Sequence, residues 1–252
     1  MVVLGLAISL CVLLMDGLLM WRGVRSRCVK LFPLFYAYIL YDFSSTGGAY
    51  LVYWLEPGWH ASVYWFCYVL SIVVEFAILV EISDHVFQPY PAIRSLGRAL
   101  TILISGVLGL SYVLPALVKP QERPLALLDF ALRTSLTKAV ILAALFIAAR
   151  HFDLKLGRNV AGLMLGFSIY LGVNVANFAA AHSTAQTPYA RLLWVVSPLA
   201  YILCLLVWTR ALWQVAPLPI TSSRPSSVAG DSKTVAVELA RFNGVLSRFI
   251  RK

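Results

Sequence analysis

VVLGLAISLCVLLMDGLLMWRGVRSRCVK, residues 2–30, is the stretch that decides the fold. Val2–Trp21 is apolar apart from Ser9 and Asp16, and it is followed at once by Arg22, Arg25, Arg27 and Lys30. An α-helix of about 20 apolar residues matches the hydrocarbon thickness of a bilayer. A secretory signal would carry its basic residues before a shorter apolar run, not after a long one. The stretch therefore reads as an uncleaved first membrane helix with its N-terminus outside. Asp16 is placed close enough to the inner interface to pair with the loop arginines.

Six more apolar stretches follow, at residues 31–55, 61–86, 99–118, 125–149, 157–181 and 191–213. Breaker clusters separate several of them, such as Gln88-Pro89-Tyr90-Pro91 and Lys119-Pro120-Gln121-Glu122-Arg123-Pro124. Composition agrees: 60% of the residues are hydrophobic and 13% charged, with mean hydropathy +0.81. A water-soluble domain carries about 45–50% apolar and about 25% charged residues. The expected fold is an all-α polytopic membrane protein, a seven-helix bundle over residues 1–214.

Charge distribution supplies an orientation. The first, third and fifth loops hold four, two and three Lys or Arg residues, whereas the second, fourth and sixth hold none, two and one. Seven more lie from Arg210 onward. Basic residues collect on the cytoplasmic side, so the chain is expected N-out and C-in. Trp21, Trp54, Trp59, Trp194, Trp208 and Trp213 fall near span ends, where an aromatic belt belongs. The net charge of +10 is accounted for by topology and anionic lipid, leaving no call for nucleic acid.

Residues 215–232 form a Pro/Ser-rich linker, and 233–252 regain helical periodicity. There Val235, Leu239, Phe242, Leu246, Phe249 and Ile250 recur at three- and four-residue steps among Lys233, Arg241, Arg248, Arg251 and Lys252. Such a basic amphipathic cytoplasmic helix suits an anionic leaflet. Docking onto a membrane or cytoplasmic protein partner is the alternative. Cys11, Cys28, Cys67 and Cys204 lie in or beside apolar runs without CxxC spacing and read as packing residues.

The spans are not uniformly apolar. An ionisable side chain at the bilayer centre costs about 2.5–3.5 kcal/mol on insertion scales, so each one needs a reason. Counting from the span ends puts Asp42, Glu75 and Lys138 near the midplane, with Asp129 and Arg133 further out and Asn174 and Asn177 at that outer level. Helical spacing groups Asp42 with Tyr38, Ser45 and Thr46, and Glu75 with Tyr64, Tyr68 and Ser71. Tyr170, Asn174 and Asn177 form a third stripe, and Asp129, Arg133 and Thr137 share a face beside Lys138. If the stripes converge, they make an outward-facing polar cavity with carboxylates and an ammonium at its floor. The competing reading is helix fastening, for which interhelical hydrogen bonds average about 0.6 kcal/mol.

A second cluster, Glu81, Asp84 and His85, lies at the inner end of the third span. Glu81 and His85 are four apart and could face a metal, but no defined ligand set accompanies them, so no metal or other cofactor is expected. The seventh span has neither a lysine for a retinal Schiff base nor a histidine pair, and no P-loop, dinucleotide fingerprint or GxSxG occurs.

Tyr53-Trp54-Leu55-Glu56-Pro57 and Val86-Phe87-Gln88-Pro89-Tyr90-Pro91-Ala92 give the chain a resemblance to a group of uncharacterised bacterial seven-helix membrane proteins. The resemblance covers the spans rather than the tail. It implies a bacterial inner (cytoplasmic) membrane location and carries no activity. The leading functional expectation is a receptor-like module that binds a small-molecule ligand in the outward cavity. A transporter or channel subunit for a proton or small solute is the alternative, and a structural subunit of a membrane complex a further one.

Overall fold

In the computed structural model, the described residues are 2–88, 90, 94–99, 101–104, 106–107, 123–151, 154, 156–183, 189–213, 237 and 240. All regular structure among them is helical. The long helices are α1 (Val2–Arg25), α2 (Pro33–Leu55), α3 (His60–Val86), α5 (Arg123–His151), α6 (Arg158–Ser183) and α7 (Tyr189–Leu212). Helical residues at 94–99, 101–104 and 106–107, termed α4, lie between α3 and α5. The remainder of the expected fourth span, the linker 215–232 and the tail helix 233–252 lie outside the described residues, apart from helical Val237 and Ala240.

Local chemistry sets the boundaries. Pro33 starts α2, where its missing N–H would have had no partner anyway. The turn before it runs through Arg27 in a left-handed conformation (φ 60°) and a short 3-10 segment, Cys28–Lys30. α1 continues to Arg25, one turn beyond the apolar run.

Neighbouring helices close a ring in the order α1, α2, α3, α5, α6, α7 and back to α1, with α3 also meeting α6. The tightest seam joins α6 to α7. Gly162 and Gly166, one turn apart on α6, leave no room for a Cβ against Ala211 and Trp208. This small-xxx-small arrangement lets two membrane helices approach closely. Trp208 is fully buried there, its indole N–H donating to the Leu163 carbonyl at 3.3 Å, and its ring meets Phe35, Tyr38, Phe167 and Tyr201.

The exterior is inverted relative to a water-soluble bundle. Leu10, Leu14 and Leu18 repeat at four-residue steps along the outer face of α1, with Leu14 68% exposed. Among the described residues, four helical stretches are long and apolar enough to cross a membrane: Gly5–Arg25, Phe66–Val86, Asp129–His151 and Arg158–Ala180. The chain is an all-helical protein built to meet lipid.

Basic residues gather at one end of the ring. Arg22 donates from Nη2 to the Trp213 carbonyl at 2.6 Å and lies over the Trp213 ring, which ties the C-terminal ends of α1 and α7 together. Arg94 and Arg98 both pair with Asp84 at the end of α3, and Gly97 packs on Ser83. The same carboxylate holds the Arg94 guanidinium more firmly in its charged form.

Candidate functional site

At the opposite end the ring opens into a cavity of about 540 Å³ between α1, α2, α3 and α6. Small-molecule sites measure about 300–1,000 Å³, so the space is of ligand size. α2 lines it with Tyr38, Asp42, Ser45 and Thr46, the face that helical periodicity predicts, and adds Ala49, Tyr50, Tyr53 and Trp54 toward the mouth. α3 adds Cys67, Tyr68, Ser71 and Glu75, α6 adds Tyr170, and α1 adds Gly5 and Leu6. Short side chains (Ser45, Thr46, Ala49, Ser71) on its wall leave the space between α2 and α3 unfilled. Exposed Tyr53 and Trp54 flank the mouth, while buried Tyr38 and Glu75 form the floor. Asp42 with Tyr38, Ser45 and Thr46, and Glu75 with Tyr68 and Ser71, thus face one cavity, while the Tyr64 side chain lies outside those described.

Two pairs of ionisable groups underlie the floor, and they differ in kind. Glu75 of α3 forms an ion pair with Lys138 of α5, both almost fully buried, and accepts a further hydrogen bond from the Tyr170 hydroxyl at 3.3 Å. Lys138 does not line the cavity. It stands behind Glu75 and neutralises it. The second pair is Asp16 of α1 and Asp42 of α2, which lie against each other. Asp16 is 0% exposed, and neither of its carboxyl oxygens meets a hydrogen-bond donor.

Asp16 therefore departs from its expected pairing at the inner interface. It is followed by nine residues of α1, roughly 13 Å of helix, and pairs with none of the arginines. Tyr201 of α7, also unanticipated, brings its hydroxyl beside both carboxyl groups without making a hydrogen bond. Its signal in the sequence was a tyrosine one turn from Pro198, in the middle of the seventh span.

The other expected cavity residues are dispersed. Asn174 meets the hydroxyl of Tyr170, one step from the cavity wall. Asn177 donates from Nδ2 to Ser197 Oγ and joins α6 to α7. Asp129 and Arg133 pair with each other at 2.8 Å along one side of α5, exposed and away from the cavity lining. Their i, i+4 spacing satisfies them locally, so they have no need of the bundle interior.

The inner cluster resolves into three separate contacts. Glu81 reaches across from α3 to accept hydrogen bonds from the Leu34 and Phe35 N–H groups at 2.9 and 2.8 Å, capping the first turn of α2. No side chain on α2 itself caps that turn. A carboxylate at a helix N-terminus is favoured by both the free N–H groups and the helix dipole. Asp84 belongs to Arg94 and Arg98. The His85 Nδ1–H donates to the Glu81 carbonyl at 2.8 Å, and the ring packs on Phe32. Among the described residues no three His, Cys, Asp or Glu side chains are grouped to hold a metal.

Set against known proteins, the chain matches no family model, no curated sequence and no solved structure.

Proposed function

We propose that the protein is a receptor-like membrane module that binds a small ligand in the cavity between α1, α2, α3 and α6. The observation that carries this reading is the cavity itself: ligand-sized, apolar at its rings, with polar groups converging at its floor. On this reading the chain makes seven spans, N-out and C-in, in the inner membrane of a bacterium, within the seven-helix group it resembles. The basic end then faces the cytoplasm and the cavity opens outward. The tail helix rests on anionic lipid, and movement of α2 or α3 on ligand binding is passed to the basic end, where Glu81 links them.

The buried charges favour a second reading, a proton or small-solute transporter, because intramembrane ionisable groups line such pathways. A structural subunit draws support only from the seams, which any bundle needs. Topology reporters fused at residues 56–59 and after residue 213 test the orientation. The proposal requires the first outside and the second inside, and the reverse result removes the outward cavity. Flux into proteoliposomes that is driven by pH or potential and abolished by Glu75→Gln would replace the receptor by the transporter.

A further inference from the structure

Resting on the cavity reading above, the charge balance around the floor identifies what the cavity would hold. Glu75 is neutralised by Lys138. No Lys, Arg or His among the described residues forms an ion pair with Asp16 or Asp42. Two carboxyl groups in contact do not both ionise readily, and one proton between them relieves the repulsion. With one proton held between them the pair keeps a single negative charge, and no described cation offsets it. Buried charges are ordinarily paired, so this one awaits a cation.

The second observation is independent of the acid pair. Tyr201, 8% exposed, directs a hydroxyl with no hydrogen-bond partner beside the same two groups. The third is the wall. Above Asp42 the cavity is lined by Tyr50, Tyr53, Trp54 and Tyr68, and Tyr38 and Tyr170 close its floor. Aromatic faces attract alkylated ammonium groups by their quadrupole, an arrangement that recognises quaternary ammonium ligands. An inorganic cation would need a close shell of oxygens, which a 540 Å³ ring-lined space does not offer. An anion would meet the uncompensated carboxylate.

We propose that the cavity binds a small organic ammonium ion, its charged nitrogen set against Asp42 and its alkyl groups against the tyrosine and tryptophan rings.

The test uses the full chain in lipid nanodiscs and two pairs of probes that differ only in charge. These are choline with 3,3-dimethylbutan-1-ol, and phenyltrimethylammonium with tert-butylbenzene. Equilibrium binding is expected to be saturable for the cations and at least about tenfold weaker for their neutral partners. Asp42→Asn, near-isosteric and so retaining the cavity, is expected to remove that preference while leaving the neutral compounds where they were. Neutral compounds binding as tightly as the cations to the wild type would overturn the charge inference and leave the cavity reading standing. So would a cation preference unchanged in a folded Asp42→Asn. Absence of saturable binding by all four would overturn both.

Discussion

Glu81 and Asp16 are both carboxylic acids buried within the helical bundle, yet one is fully engaged and the other has no donor at all. Glu81 accepts from two backbone N–H groups, and mid-bundle Glu75 is likewise matched by Lys138 and Tyr170. Asp16 and its neighbour Asp42 face only each other and the idle hydroxyl of Tyr201. The difference separates acids that hold the bundle together from acids that hold it open to something else. A buried charge with partners stabilises, whereas one without partners is retained at a cost in stability.

That contrast can be broken by substitution, and the largest effect belongs to the ion pair. Lys138→Met should destabilise by about 3–5 kcal/mol, because it leaves Glu75 charged and unpaired in the interior. Unfolding of the purified protein in mixed micelles would register it, and adding Glu75→Gln to the same chain should restore most of the loss. Glu81→Ala comes next. It strips two charge-assisted bonds from the first turn of α2, and a loss of about 1.5–3 kcal/mol is expected by the same assay, with faster amide exchange at Leu34 and Phe35. Asp16→Asn anchors the other side of the comparison: stability should stay within about 0.5 kcal/mol of the wild type or rise. A drop as large as that of Glu81→Ala would show that Asp16 is structural after all, and the contrast would collapse.

Much of this arrangement was legible in the sequence, for a physical reason. Lipid makes polar residues expensive, so Asp42 with Ser45 and Thr46, and Glu75 with Tyr68 and Ser71, stand out from apolar helices and share faces by periodicity alone. Both faces line the cavity. The partner of Asp16 was less legible: α1 outlasts its apolar run by a turn, yet Asp16 turns to Asp42 rather than to the arginines that follow it. Partners between helices were not legible at all. Nothing in the chain announces that Glu81 caps α2, since the two elements meet only after folding, and a helix start without its own cap is a faint signal. Gly162 and Gly166 carried a readable spacing for a close seam, but Trp208 as its partner depends on how α7 is rotated.

The central claim is an outward-open cavity with an uncompensated negative charge, and one measurement addresses it most directly. Ser45→Cys, in a chain whose Cys11 and Cys67 are replaced by serine, places a single thiol on the cavity wall. Its modification rate is compared for a cationic and an anionic methanethiosulfonate of similar size, applied to right-side-out and inside-out vesicles. The account predicts reaction in right-side-out vesicles, at least about tenfold faster with the cation, and loss of that bias in Asp42→Asn. Reaction only in inside-out vesicles, or equal rates for the two reagents, would contradict it.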